Sequence, residues 1–155
     1  MERRRQEGKP TYVLFMDIEK AFDTVPHEAM FRKLEHAGVR GMMLDFIKAS
    51  YKEANLVLRL ADATTDAIPL DRGVRQGAFS SPTLFNVFFD DLVESLDCTA
   101  IDVPGVNQKL PGLFFADDVL APAENRKQLQ VAANRMQKWA KKWEINLNAS
   151  SVRPW

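Results

Sequence analysis

The sequence predicts an α+β fold: an antiparallel sheet with helices packed on one face. Three observations lead there. Apolar runs of strand length occur at residues 11–16, 55–61 and 110–116. Between and after them lie segments whose apolar residues recur every three to four positions. The resulting order is strand, helices, strands, helix, hairpin, helix. The 155 residues suit one domain, long enough to bury about 70% of the surface its unfolded chain exposes.

The elements follow in order. Thr11–Met16 (TYVLFM) is a continuous apolar run ending in Asp17, as in a buried central strand. Pro26 opens a helix, with Met30, Leu34 and Ala37 on one face and Gly38 as its stop. Gly41–Tyr51 is a second helix, with Met43, Phe46 and Ile47 expected inward. Asn55–Ala61 reads as a strand and Ala67–Leu70 as its hairpin partner. Gly73–Ser80 is a loop, and Ser81-Pro82 a helix start with serine at the cap. Phe85, Phe88, Phe89, Leu92 and Leu96 then form an inward stripe. Leu110–Ala116 is a strand broken near its start by Pro111 and Gly112, and Val119–Ala121 its return after Asp117-Asp118. Glu124–Glu144 is the clearest helix, with Leu129, Ala132, Met136, Trp139 and Trp143 along one seam.

Composition narrows the function classes. Hydrophobic residues make up 46% and charged residues 27%, which excludes disorder, collagen and coiled coil. The single cysteine, Cys98, excludes an intrachain disulfide and is expected to be packed. His27 and His36 flank a helix without metal-ligand spacing. No apolar run reaches bilayer length, and the charged N-terminus lacks the apolar core of a secretory signal. The expectation is an intracellular protein with no membrane contact.

Net charge is zero, with 21 basic and 21 acidic residues, but the charges are segregated. Residues 90–118 hold seven acids and one base, whereas residues 125–143 hold six bases and no acid. A solvated helix face is the plainer account of the basic stretch. The alternative is a polyanion track beside an acidic pocket.

Asp17 ends a buried strand, and Asp117-Asp118 stands at the tip of a hairpin. If the two strands are neighbours, the carboxylates meet. Adjacent like charges disfavour one another, and a hard divalent cation removes that cost. Two such ions about 3.5–4 Å apart clamp the attacking and leaving oxygens of a phosphoryl displacement. An Asp-Asp pair is also common in turns. Asp90-Asp91 is such a pair, expected on the solvated side of its helix. The apolar flanks Leu113–Ala116 and Val119-Leu120 set Asp117-Asp118 apart.

Three segments together resemble a known family. Phe15-Met16-Asp17-Ile18-Glu19-Lys20-Ala21-Phe22-Asp23 is similar to the first catalytic motif of reverse transcriptases of the non-LTR retrotransposon and group II intron type. Arg75-Gln76-Gly77-Ala78-Phe79-Ser80-Ser81-Pro82 resembles their second motif, and Phe115-Ala116-Asp117-Asp118 their aspartate pair. Trp139–Asn148 is similar to the helix and strand that follow. The resemblance implies a right-hand polymerase palm over residues 11–148, between a basic segment at 1–10 and a divergent tail at 149–155. It implies that Asp17 and Asp117 ligate metal with Asp118 in support, and that the Ile18 carbonyl adds an oxygen. The metal would be magnesium, or manganese in its place. The implied reaction is attack of a DNA primer 3′-hydroxyl on a deoxynucleoside triphosphate, templated by RNA or DNA. Phe22 would exclude a ribose 2′-hydroxyl by its bulk; an ordinary core phenylalanine is the plainer reading. Gln76 and Gly77 become nucleotide-binding candidates. Trp139 and Trp143 fit core packing better than base stacking.

Two departures shape the expected function. Arg3, Arg4 and Arg5 match no triphosphate-clamping fingers positions, and Ser151 stands where a lysine is expected. Fingers and thumb are therefore absent from the resemblance, and a fragment with little activity alone is expected. A non-catalytic palm remnant that binds RNA or protein, and a two-metal nuclease, are the other readings. The loop around Gln76-Gly77 and Ser81-Pro82 favours the polymerase over the nuclease.

Overall fold

The computed structural model describes residues 10–52, 54–61, 63–103, 105, 107, 109–148 and the backbone of 153–154. Arg3, Arg4, Arg5 and Ser151, and nearly all of the two flanking segments, lie outside the described residues. The elements in chain order are β1 (Tyr12–Met16), α1 (Ala21–Thr24), α2 (His27–His36), α3 (Met42–Lys52), β2 (Asn55–Leu56), β3 (Arg59–Leu60), β4 (Ala63–Thr64), β5 (Ile68–Pro69), α4 (Ser81–Leu96), a 3₁₀ turn (Asp97–Thr99), β6 (Ile101–Asp102), β7 (Lys109–Leu110), β8 (Leu113–Phe115), β9 (Asp118–Ala123), α5 (Arg126–Trp143) and β10 (Arg153–Pro154). They form two compact units, Met1–Ala21 with Phe89–Trp155, and Phe22–Phe88. The inward stripe of α4 is buried throughout, from Phe85 and Phe88 to Phe89, Leu92 and Leu96.

The first unit is built on a four-stranded sheet in the order β10-β1-β9-β8. All its pairings are antiparallel. β1 and β9 pair along their whole shared length, from Tyr12↔Ala123 to Met16↔Val119. Strand alternation then sorts the side chains. Leu14, Met16, Val119 and Ala121 share one face and are buried. Leu14 and Met16 line a cavity of about 720 Å³ with Gln130, Ala133, Gln137 and Ala140, so this is the face that α5 covers. α5 buries Ala132, Met136 and Trp139 of the expected seam, with Ala140 beside them, while Leu129 and Trp143 are half-buried. Asn125 caps it, accepting from the Gln128 N–H, and Glu144 ends it at φ +54°.

Trp139 belongs to the core, tilted on Phe89 at 5.1 Å. Its indole N–H donates to Asp91 Oδ1 at 2.7 Å. That corrects the expectation of a solvated Asp90-Asp91 pair: Asp90 is exposed, but Asp91 is half-buried because it satisfies a buried indole. Cys98 is likewise exposed rather than packed, since it lies in the 3₁₀ turn beyond the apolar stripe.

The second unit departs from expectation in its helices and hairpin. α2 buries Met30 and Leu34, but Ala37 is exposed at the C-cap. α3 turns its other side inward. Leu44 and Tyr51 are buried, whereas Met43 is 63% and Phe46 72% exposed. Apolar residues surround the first turns of this helix, so periodicity alone gives no single face. Tyr51 decides the rotation, packing edge-on against His27 at 4.9 Å and Phe31 at 6.3 Å. The strand expected at 55–61 is interrupted. Asn55↔Pro69 and Leu56↔Ile68 pair in one register, and Arg59↔Thr64 and Leu60↔Ala63 in a register one residue shorter. One extra residue on the returning side is a bulge. The Leu58 carbonyl accepts from the Thr65 N–H at 3.0 Å beside it.

Candidate functional site

The carboxylates open on the sheet face that α5 leaves uncovered. β8 and β9 join through Phe115↔Asp118, so the hairpin turn is Ala116-Asp117 and Asp118 already belongs to β9. Ala116 takes φ +50°, a conformation usually given to glycine. The β1–β9 register ends at Met16↔Val119, and the next step sets Asp17 across from Asp118. Residues directly opposite on neighbouring strands share a face and have Cβ atoms about 4.5–5.5 Å apart. Asp17, Asp117 and Asp118 accordingly line one cavity of about 600 Å³, walled by Phe15, Leu113 and Phe115 among others. Asp17 and Asp117 are half-buried and Asp118 is exposed. Phe115, at 82% exposed, keeps the mouth apolar.

Asp17 is held from its other edge by Asn148, a partner the sequence did not reveal. The Asn148 N–H donates to the Asp17 carbonyl at 3.0 Å, and Asn148 Nδ2 donates to Asp17 Oδ2 at 3.2 Å. The Glu19 N–H donates to the Asn146 carbonyl at 3.0 Å, with Ile18 bridged to Leu147 between them. In an antiparallel pair flanked by such bonds, the central residue's own N–H and carbonyl point away from its partner. The Ile18 carbonyl therefore turns toward the β9 edge, on the side of the aspartates.

These donors fit a hard divalent cation, since all are oxygens and magnesium takes one or two carboxylates plus water and substrate. Among the described residues, no three His, Cys, Asp or Glu side chains are grouped to hold a metal ion. The aspartates thus line an open cavity and do not form a closed cage.

The remaining candidates lie in the second unit. Phe22 stacks flat on Phe85, ring centroids 4.4 Å apart and planes within 4°. It is half-buried. The chain around it is tied to the loop at 73–80. The Val74 N–H donates to the Phe22 carbonyl and the Gly73 N–H to the Val25 carbonyl, each at 2.8 Å. Gln76 Nε2 donates to Asp23 Oδ1 at 2.9 Å. Gly73 favours glycine on two counts: its φ is +93°, and a Cβ would meet the Asp23 carbonyl oxygen at 3.1 Å. His27 Nε2 lies 2.8 Å from the Gly73 carbonyl, which can only accept, so Nε2 carries the proton. Arg75 donates to the Ser50 carbonyl. Ser81 does not cap α4 with its side chain. Its hydroxyl donates to the Arg75 carbonyl at 2.6 Å and closes the loop. Gln76 and Gly77 are exposed. The Asp23–Gln76 contact joins residues 53 apart and was not legible in the sequence.

A palm of the polymerase-like class is what this sheet, its helical backing and its carboxylate edge define, and comparison with known proteins agrees. The model of the reverse transcriptase (RNA-dependent DNA polymerase) family matches residues 1–151. A type-1 retrotransposable element R2 Pol polyprotein from Popillia japonica is 39% identical over 121 residues, covering 76% of this chain and 20% of that protein. The RNA-directed DNA polymerase of the mobile element jockey from Drosophila melanogaster is 26% identical over 141 residues, covering 87% of this chain and 15% of that protein. Apo telomerase from Candida tropicalis shares the fold, with a TM-score of 0.74 at 13% identity over 98% of this chain and 32% of that one. The chain belongs to the reverse transcriptase family and spans a fifth or less of these two curated relatives. Among the described residues, no helix is long and apolar enough to cross a membrane.

Proposed function

We propose that this chain is the palm of an intracellular RNA-directed DNA polymerase, joining deoxynucleotides to a DNA primer on an RNA template. The observation that carries the reading is the ladder register that sets Asp17 across from Asp118, in one cavity with Asp117. Asp17, Asp117 and Asp118 would hold the metal, with the Ile18 carbonyl beside them. Magnesium, or manganese in its place, supplies when bound the positive charge that a phosphoryl displacement needs at its attacking and leaving oxygens. The protein's own part is positional. Asn148 fixes the Asp17 carboxylate, so its oxygens are oriented before any ligand arrives. Phe85 stiffens the Phe22 ring, which suits a steric wall against a 2′-hydroxyl. Asp23 orients the Gln76 amide, leaving that residue's carbonyl oxygen to accept from a nucleotide.

Primer extension with magnesium on an RNA template, comparing the parent with Asp17→Asn and with Asp117→Asn, tests the reading. Incorporation, however slow for the isolated chain, is expected to fall at least 100-fold in each variant. A magnesium titration followed by melting temperature gives a second readout, with the rise in the parent lost in both variants. Equal incorporation and equal metal response in parent and variants would refute the assignment.

A further inference from the structure

The six cations of α5 form a surface that carboxylate chemistry does not use. Arg126, Lys127, Arg135, Lys138, Lys141 and Lys142 are all exposed. At 100° per residue, Lys141, Lys127, Lys138, Lys142 and Arg135 fall within about a third of the helix circumference. That arc starts about 40° from Trp139 on the buried seam of Ala132, Met136 and Trp139 and runs round the helix away from it, to Lys141, which lines the cavity that also holds Leu14 and Met16. No acidic residue occurs between 125 and 143. Among the described residues, none of the six pairs with a carboxylate: Arg135 donates instead to the Ser95 carbonyl at 3.1 Å, and Lys142 lies 4.4 Å from the Trp143 ring. Asp91 and Glu94 line one cavity with Arg135, Lys138 and Lys142, and Asp91 already accepts from Trp139. Lys127 to Lys141 spans about 21 Å at 1.5 Å per residue.

We infer that the outer arc of α5 is a second nucleic-acid surface, binding the phosphodiester backbone on the side of the sheet opposite the aspartates. At the duplex spacing of about 3.4 Å per phosphate, this length faces about six phosphates of one strand. The helix's two tryptophans are turned away from solvent stacking: Trp139 is buried and Trp143 half-buried. Binding should therefore read charge and not base identity.

Fluorescence anisotropy with a labelled 20-nucleotide single-stranded RNA, in EDTA and without nucleotide, tests this across 50–300 mM KCl. The assay needs neither metal nor catalysis, so failure of the polymerase reading leaves it decisive. Lys127→Gln/Lys138→Gln/Lys141→Gln should lose at least tenfold in affinity at 50 mM salt. Its plot of log K against log salt should be shallower by about 2, at 0.7 per lost contact. Asn134→Lys, placed inside the arc, should steepen the slope by about 0.7 without removing any charge. A DNA strand of equal length should bind with a similar slope. Unchanged affinity and slope in both variants would overturn the inference, as would binding of the parent to anionic lipid vesicles but not to RNA.

Discussion

Gly73 and Gly77 separate two effects that a glycine can carry, because they share a backbone conformation and differ in what surrounds them. Gly77→Ala places a side chain at φ +82° with nothing within 4 Å. That residue bears the left-handed strain alone, about 1–2 kcal/mol. About 0.4–1 kcal/mol returns from the stiffer unfolded chain. Gly73→Ala bears the same strain at φ +93° and adds a Cβ lying 3.1 Å from the Asp23 carbonyl oxygen, 3.3 Å from its Cα and 3.4 Å from its carbonyl carbon. Those atoms are backbone, so no rotamer relieves them. Overpacking of this kind costs about 1–3 kcal/mol. Gly73→Ala should therefore melt below Gly77→Ala by at least about 2 °C, at about 2–4 °C per kcal/mol for a chain of this size. Thermal denaturation followed by circular dichroism measures both. Equal losses would mean that the 22–25 segment does not press on the loop, and would remove the basis for Asp23 positioning Gln76.

Three further outcomes follow from named contacts. Trp139→Phe removes the indole donor from Asp91 Oδ1 and leaves a half-buried carboxylate without it, which should cost about 2 kcal/mol. An unchanged melting temperature would contradict it. Asp23→Ala should raise the deoxynucleotide KM several-fold in primer extension with little effect on kcat, while changing stability by less than about 0.5 kcal/mol. An unchanged KM would show that the Gln76 amide needs no fixing. The Lys48 ammonium, donating to Glu35 Oε1 at 2.7 Å, holds the Glu35 carboxyl below its ordinary value. That contribution is complete above the ordinary carboxylate range and is lost as pH falls through the depressed value. Lys48 is raised by the same contact, so its contribution is lost only as alkaline pH passes the raised value. Both groups are exposed and screened. Glu35→Gln should match the parent in physiological salt; at low ionic strength it should be slightly less stable than the parent at neutral pH and converge with it as pH falls through the depressed value.

What the sequence made legible is what long, one-sided burial writes into it. The α4 stripe and the α5 seam were readable because their apolar residues repeat at one period, and β1 because its apolar run is unbroken. α3 was not, since Met42, Met43, Leu44, Phe46 and Ile47 surround its first turns and only the Tyr51 contacts select a face. The hairpin at 55–69 was half readable: its strands are exposed on both sides, so nothing in the alternation marks the bulge that shifts its register. At the site, the three aspartates were legible as residues and the hairpin as an element. That Asp118 and not Asp117 sits across from Asp17 is a matter of turn length, which two apolar flanks do not specify. The supports were beyond reach, because Asn148 lies 131 residues from Asp17 and no local pattern links them.

A net charge of zero argues against nucleic-acid binding only if opposite charges lie within reach of one another. In the first unit the site aspartates and the α5 cations are apart, although Asp91 and Glu94 line one cavity with Arg135, Lys138 and Lys142. The aspartates line the cavity on the face of the sheet that α5 does not cover, and the α5 cations are exposed on the helix that backs the other face, with Lys141 also lining the cavity that holds Leu14 and Met16. A helix with its side chains is about 10–12 Å across, and the Debye length at physiological ionic strength is about 8 Å. Helix and sheet together therefore exceed the distance over which the two sets screen or cancel one another through solvent. A polyanion approaching α5 meets its lysines, and a cation approaching the hairpin meets its carboxylates, each nearly undiminished by the other. A balanced total is therefore compatible with a strong field at each face. Adding charge to the α5 face alone, as in Asn134→Lys, should change the RNA salt slope without altering the magnesium response of the aspartates.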